Sequence, residues 1–220
     1  MYVGVVMSQR IENFIKNNLP ANSLANILNI GAGNNTEFEN EFQRSDLNFI
    51  CDRIDIDMVS VSHPSIRNQW KTSVEFMPMV HSGLYDVAFT NFVLEHVIDI
   101  PSSAKEIYRV MKKGGRFFAT VPNPSALEFL IARVTPLWFH KLIRQEESWP
   151  TFYNYKNIKR LISLFESAGF TLIDSLYQPC YYLYFRNYPL ISHLARTMDN
   201  LLISLNNKKL LGHVFLEFEK

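Results

Sequence analysis

The glycine turn at Gly31-Ala32-Gly33 is the first part of the sequence that could bind a ligand. It directly follows the apolar run 27–30, so a buried strand is predicted to enter a turn whose backbone passes close to a ligand. The amide groups at the start of a following helix suit an anionic group. The same pattern also fits a strand-to-helix turn without a ligand, so the turn alone does not decide between the two.

An aspartate after the second apolar run adds a different chemistry. Asp52 lies about twenty residues beyond Gly31, where a carboxylate accepts hydrogen bonds from ribose hydroxyls. If the strand is longer, Asp55 or Asp57 takes this role; otherwise these two belong to a solvated acidic loop. Thr36 stands where a dinucleotide fingerprint needs its third glycine. The pattern therefore predicts a nucleoside cofactor, with NAD-dependent oxidoreduction as the last alternative.

These residues require a scaffold in which strands and helices alternate. Short apolar runs predict strands at 27–30, 49–51, 70–74, 85–90, 116–121, 170–173 and 181–185. Helical spacing of apolar residues predicts helices beginning near Ser8, before Gly114, before Gly169 and over 191–205. This alternation predicts an α/β fold with a doubly wound, mostly parallel, seven-stranded sheet.

The length of 220 residues fits one domain over 1–220. Within it, residues 122–155 are rich in aromatic residues, and an inserted helical lid or substrate-recognition element is one interpretation of this stretch. Residues 187–220 are predicted to form an amphipathic C-terminal helix extension.

Two further motifs occur in a diagnostic order. The run 85–97 reads YDVAFTNFVLEHV, and after a predicted helix the run 111–117 reads MKKGGRF. The sequence here resembles the class I S-adenosylmethionine-dependent methyltransferases, whose fourth strand ends in N-x-x-L-x-H before a helix and an L-K-P-G-G turn. The resemblance covers about residues 27–124 and extends more loosely to 177. It implies a Rossmann-like fold and S-adenosyl-L-methionine as the cofactor.

The resemblance also assigns residues to the cofactor. It implies that the methionine end lies on Gly31, Ala32 and Gly33, and that Asp52, or Asp55 in its place, holds the ribose. By the same resemblance, Ser73 and Val74 border the adenine, while Asn91 and Phe92 form the floor below the sulfonium. The chain departs from the family pattern at Asn29, where an acidic residue is usual, at Asn35 and at Lys113. Asn29 can donate or accept a hydrogen bond but offers no charge to the cofactor's ammonium group.

Methyl transfer needs alignment of the acceptor and exclusion of water, and a general base helps when the acceptor is a hydroxyl. His96 is the candidate base, since it is expected one turn into the helix that starts at the cofactor floor. A capping or packing role is the alternative for this residue. No metal-ligand spacing is present in the sequence, so no metal site is predicted.

The stretch after the fifth strand is expected to select the acceptor. It concentrates aromatic residues with basic residues at its edge, and the candidate substrate-binding residues are Trp138, His140, Tyr153 and Tyr155. Three interpretations stay open: a lid over an apolar or aromatic acceptor, a membrane-contact helix for lipid-like acceptors as in quinone-pathway methyltransferases, and ordinary core.

Charge and cysteine content limit the partners. Lys and Arg total 22 against 21 Asp and Glu, so the basic excess expected of a nucleic-acid-binding protein is missing. Two cysteines, Cys51 and Cys180, allow no disulfide framework. Because the N-terminus reads badly as a signal peptide and no apolar run is long enough to span a membrane, a cytoplasmic protein is expected. Weak peripheral membrane contact and a homodimer through the C-terminal helix are the open alternatives for partners.

The sequence therefore predicts S-adenosylmethionine-dependent methyl transfer to a small-molecule acceptor, at oxygen, by in-line displacement. The alternatives are methylation of a membrane-associated lipid or quinone precursor and, from another class, a non-catalytic cofactor-binding member of the family.

Overall fold

The computed structural model describes residues 11, 13–15, 17, 24–45, 47–126, 150–205 and 207–220. Its centre is a seven-stranded sheet whose strands, in chain order, are β1 (Ala25–Ile30), β2 (Phe49–Asp55), β3 (Ile66–Lys71), β4 (Tyr85–Asn91), β5 (Met111–Pro122), β6 (Thr171–Gln178) and β7 (His213–Glu219). The spatial order is β3-β2-β1-β4-β5-β7-β6. Pairing is parallel from β3 to β5, and β7 runs antiparallel to both β5 and β6. This arrangement confirms the predicted fold class.

Helices lie between the strands along the chain. They are α1 (Glu37–Arg44), α2 (Ile100–Val110), α3 (Ile158–Ser167), α4 (Tyr181–Phe185) and α5 (Pro189–Ser204). Short 3₁₀ turns lie at Leu94–His96 and Lys208–Leu210. Two apolar clusters fill the interior. One packs α2 and α3 on the sheet, and the other packs α1 and the helical residues Ile11, Phe14 and Ile15 on the sheet. Such burial is the main driving force for the fold.

The C-terminal part differs from the prediction in two places. Residues 181–185, predicted as a strand, form α4, and the last strand is instead His213–Glu219. The predicted helix extension over 187–220 therefore ends at Ser204, and the chain returns to the sheet between β5 and β6. The physical reason for the first difference is a tertiary contact, because the buried carboxylate of Asp199 accepts the backbone N–H groups of Tyr181 and Tyr182. A side chain from α5 thus caps the start of α4.

Helix α2 also ends earlier than expected. It stops at Val110, and β5 begins at Met111, so Gly114 and Gly115 lie within the strand rather than at the helix end. The start of α2 is well defined because the Asp99 side chain accepts the N–H of Ser102. By contrast, α3 follows the prediction closely, with Asn157 as its N-cap.

Among the described residues, no helix is long and apolar enough to cross a membrane.

Candidate active site

A cavity of about 390 Å³ opens where the carboxyl ends of β1, β2 and β4 meet. This edge of a parallel sheet is where α/β folds bind ligands. The cavity brings together many residues that the sequence predicted: Gly31, Gly33, Asp55, Ser73, Val74, Asn91, Phe92 and His96. The other lining side chains are mainly apolar, with Val97 and Ile98 on the side of His96. The volume and lining suit a small organic ligand with a few polar groups.

The glycine turn at the end of β1 needs glycine at its first position. Gly31 has a φ of +72°, and a Cβ built there would collide with the side chain of Val93. Gly33 has a φ of +61° but faces open space, so its backbone is accessible from the cavity. The N–H groups of Gly31 and Ala32 donate to the Ile54 carbonyl at 2.9 and 3.1 Å, which ties the turn to β2. Ala32, predicted beside the cofactor, is buried and does not line the cavity.

Asp55 provides the carboxylate at the cavity edge. It is the final residue of β2, and its Oδ2 accepts the Gly33 N–H at 2.9 Å. Its Oδ1 accepts the N–H of Asp57 at 2.9 Å. Each carboxylate oxygen can accept more than one hydrogen bond, so Asp55 retains capacity for ribose hydroxyls.

Asp52 does not end β2, so that part of the prediction is wrong. The strand continues to Asp55, and the Asp52 side chain is fully buried away from the cavity lining. Its Oδ1 accepts hydrogen bonds from the Arg67 guanidinium and the Asn68 N–H, and its Oδ2 accepts the Tyr85 hydroxyl at 2.7 Å. Burial and this carboxylate raise the pKa of Tyr85 far above its ordinary value, so the phenol stays protonated and donates. Asp52 is therefore a structural carboxylate of the sheet.

The floor of the cavity has an unusual backbone. Phe92 follows β4 with a φ of +56°, a conformation that costs energy for a bulky residue. Its N–H donates to the carbonyl oxygen of Thr120 at 3.0 Å, and the Thr120 hydroxyl donates to Asn91 Oδ1 at 2.6 Å. Strand β5 thus holds Asn91 and Phe92 in place, and both line the cavity.

His96 lies in the 3₁₀ turn Leu94–His96, before α2 rather than inside it. The reason is the Asp99 cap, which starts the helix only at Ile100. The Nδ1 atom of His96 is 2.9 Å from the Pro150 carbonyl oxygen. A carbonyl only accepts, so Nδ1 is the donor in this contact, and Nε2, which lies 4.0 Å from Glu95 Oε1, is the ring nitrogen left to accept a proton. That nitrogen can take a proton from an acceptor hydroxyl.

Tyr153 and Tyr155, the two predicted substrate-binding residues that the structure describes, do not line the cavity. Tyr155 is fully buried and its hydroxyl donates to the Pro122 carbonyl at 3.0 Å, so the structure places it in the core rather than at the cavity. Tyr153 is half-buried and packs edge-on against Tyr155. Trp138 and His140 lie outside the described residues, as does most of the predicted lid.

His213 is a residue near the site that the sequence did not single out. It begins β7 opposite Pro122, and its ring is 4.9 Å from that of Phe92. Its Nε2 is 3.2 Å from the Tyr184 hydroxyl. Burial lowers the pKa of His213 to about 4, so the ring is neutral at physiological pH. Gly212 just before it was the available sequence signal, since glycine marks a break between helix and strand.

Comparison with protein families matches residues 6–175 to a family described as "Methyltransferase domain". A solved S-adenosylmethionine-dependent methyltransferase from Archaeoglobus fulgidus has a TM-score of 0.62 at 17% identity, covering 99% of this chain and 94% of that one. Phosphoethanolamine N-methyltransferase 2 of Haemonchus contortus, solved with S-adenosylmethionine, has a TM-score of 0.57 at 14% identity, covering 96% of this chain and 52% of that one. At these identities the structural likeness describes the fold.

One curated relative is similar over a shorter stretch. A ubiquinone biosynthesis O-methyltransferase of Methylobacterium nodulans is 32% identical over 92 residues, which is 41% of this chain. The match spans 36% of the length of that relative.

Proposed function

Because this chain belongs to the class I S-adenosylmethionine-dependent methyltransferases, we propose that it transfers a methyl group to an oxygen atom of a small-molecule acceptor. The observation that carries the proposal is the single cavity in which the glycine turn, Asp55 and His96 meet. The lining of this cavity offers backbone, a carboxylate and an imidazole among apolar side chains.

The residues present fit the cofactor. The accessible backbone of Gly33 suits the methionine part, and Asp55 suits the ribose hydroxyls. Ser73 and Val74, which line the cavity, would border the adenine, and Phe92 would lie below the sulfonium. When bound, S-adenosylmethionine supplies a methyl carbon activated by a positively charged sulfur. Asn29, the departure noted in the sequence, donates to Glu39 and does not line the cavity.

His96 would act on the acceptor. With Nδ1 donating to the Pro150 carbonyl, Nε2 would accept the proton of an acceptor hydroxyl as its oxygen becomes the nucleophile. The apolar side chains of Val97 and Ile98 near His96 favour an acceptor with an apolar or aromatic body. The name of the curated relative supports oxygen rather than nitrogen as the methylated atom.

A membrane-held acceptor is the second candidate. Helix α5 exposes an apolar stripe that includes Leu194 and Leu201, at 63% and 50% exposure. Arg196, Lys208 and Lys209 lie on or just after α5. An apolar stripe with basic neighbours is typical of contact with an anionic membrane surface. Flotation with anionic and with neutral vesicles tests this: binding to anionic vesicles alone supports it, and a dimer in solution with no flotation contradicts it.

Calorimetry with S-adenosylmethionine, S-adenosylhomocysteine and NAD tests the cofactor. We expect binding of the first two. Binding of NAD alone would end the methyltransferase proposal. A panel of phenols, catechols, carboxylic acids and amines, assayed for S-adenosylhomocysteine release, then tests the acceptor. Turnover of amines but not hydroxyl compounds would contradict O-methylation, and cofactor binding without turnover of any class would favour the non-catalytic alternative.

A further inference from the structure

The cavity face of the glycine turn is held by Asp55, and its other side is held by a buried arginine. Arg53 is wholly buried in β2, two residues before Asp55. Its Nη2 donates to the carbonyl oxygens of Ala32 at 2.8 Å and Asn35 at 2.5 Å, with a longer contact to Gly33 at 3.4 Å. One guanidinium therefore spans the turn from behind.

A buried carboxylate accompanies this guanidinium. Glu39 of α1 is 1% exposed, and its Oε1 lies 3.3 Å from Arg53 Nε. The same oxygen accepts the side-chain N–H of Asn29 at 3.0 Å. The thiol of Cys51 is 3.7 Å away, and burial together with Glu39 raises its pKa, so it stays protonated. The strand before the turn and the helix after it thus share one polar cluster.

This ion pair is poorly arranged for stability alone. Within the described part of the chain, Arg53 Nη1 and Glu39 Oε2 are buried without a hydrogen-bond partner. For a buried pair the desolvation penalty can exceed the electrostatic gain, and apolar residues often replace such pairs without loss of stability. What the pair does achieve is a fixed position for the carbonyls of residues 32 and 35.

We propose that Arg53 is a positioning residue for S-adenosylmethionine, holding the glycine turn in its binding conformation from the interior side. The inference rests on the proposed function. Because the carbonyls of Ala32 and Asn35 point to Arg53, the peptide groups between them are fixed, and Gly33 presents its backbone to the cavity without reorganisation. A turn that is ordered before binding spares the ligand the cost of ordering it.

The test separates affinity from stability. In Arg53→Met, the Kd for S-adenosylhomocysteine measured by calorimetry should rise about tenfold or more, at a temperature where the protein is folded. Arg53→Met leaves Glu39 buried and unpaired, so its melting temperature should also fall. In the double variant Arg53→Met with Glu39→Met, the melting temperature should recover in part, since Asn29 also loses its acceptor, while the Kd stays high. Arg53→Lys keeps the charge but cannot span the turn, and it should give an intermediate Kd.

Arg109→Met provides a matched control. Arg109 also pairs with a glutamate, Glu106, and donates to the carbonyls of Met77 and Val80, but it does not line the cavity. This variant should lose stability and keep its Kd. Hydrogen exchange without ligand adds a second readout: the amides of residues 33–35 should exchange faster in the double variant than in wild type.

Each outcome bears on a different claim. A double variant that binds S-adenosylhomocysteine as tightly as wild type, with unchanged exchange in the turn, would overturn the role of Arg53 and leave the proposed function intact. A wild-type protein that binds neither S-adenosylmethionine nor S-adenosylhomocysteine would overturn the proposed function and this role together.

Discussion

Two aspartates three residues apart in β2 have opposite environments. Asp52 is buried and saturated with hydrogen bonds from Arg67, Asn68 and Tyr85, whereas Asp55 ends the strand at the cavity. A carboxylate at the end of a strand is accessible to a ligand, whereas a carboxylate buried within the strand needs hydrogen-bond donors from the protein itself. Position in the strand thus decides which carboxylate can serve the cofactor.

We predict that Asp55→Ala raises the Kd for S-adenosylmethionine about tenfold or more, since hydrogen bonds to a carboxylate are lost. Calorimetry measures this, and Asp57→Ala is the control because Asp57 is exposed and its only described ion pair is with Lys71. An unchanged Kd in Asp55→Ala would contradict the ribose assignment.

Asp52→Ala should behave differently. It leaves the Arg67 and Tyr85 donors without their acceptor, so the free energy of unfolding should fall by about 3 kcal/mol. Urea denaturation measures the loss. The Kd for S-adenosylmethionine of the folded variant should stay near wild type. An increase in Kd as large as that in Asp55→Ala would instead support Asp52 as a cofactor-binding residue.

His96→Ala should lower kcat about a hundredfold or more, because a positioned general base is lost, and should leave the Kd for S-adenosylmethionine unchanged. The rate of S-adenosylhomocysteine formation with a hydroxyl acceptor measures kcat. His81→Ala is the control, since His81 is exposed and outside the cavity. If His96→Ala keeps its kcat, His96 is a packing residue of the 3₁₀ turn.

His213 should make stability depend on pH. Burial lowers its pKa to about 4 in the folded protein, below the value of about 6.5 expected in the unfolded chain. The unfolded state therefore binds the proton more readily, and the free energy of unfolding should fall by about 3 kcal/mol as pH drops from 6.5 to 4. Urea denaturation across this range should show the slope in wild type and in the exposed-site control His193→Gln, and a flatter slope in His213→Gln. Equal slopes in all three proteins would contradict the assignment of this pH dependence to His213.

At the scale of elements, the structure follows the predictions where local pattern determines an element and differs from them where a tertiary contact does. Strand β4 and helix α3 follow their predictions to within a residue or two, because an apolar run and a periodic stripe with an Asn157 cap are local signals. The aromatic run 181–185 has strand composition but forms α4, since its capping carboxylate comes from Asp199 in another helix. No local pattern contains that contact.

The site shows the same division. The glycine turn and the Asn91-Phe92 floor could be predicted, because they are contiguous motifs. Asp52 was misplaced because the apolar run stops at Cys51, whereas β2 continues through Asp52 and Arg53. Both charged residues are buried there only because Arg67 and Glu39 reach them from other elements. Because Arg67 and Glu39 lie outside β2, no pattern within the strand indicates these contacts.

Asp199→Ala should destabilise the α4–α5 pair, because the N–H groups of Tyr181 and Tyr182 lose their acceptor. A lost helix cap costs about 1 kcal/mol. Hydrogen exchange should become faster at these two amides, with Asn200→Ala, an exposed neighbour, as the control. Unchanged exchange would mean that α4 holds itself without the cap.

At the scale of the whole molecule, ligand binding should appear as added stability. A saturating ligand that binds only the folded state raises its stability, by about 2.7 kcal/mol at a concentration a hundred times Kd. The melting temperature should therefore rise by several degrees with S-adenosylhomocysteine, and NAD should leave it unchanged. Thermal denaturation with each compound checks this. A shift with NAD alone would speak against the family's cofactor.

The position of β7 also sets an order of events during folding. Pro122 pairs with His213 and Arg116 pairs with Glu219. The paired residues of β5 and β7 are therefore roughly a hundred residues apart in the chain, and that loop must close before the two strands can pair. Strands β1 to β5 pair over shorter separations. The free edge of β5 is therefore exposed until β7 arrives, and this interval is when a newly made or refolding chain is most open to strand pairing with its neighbours.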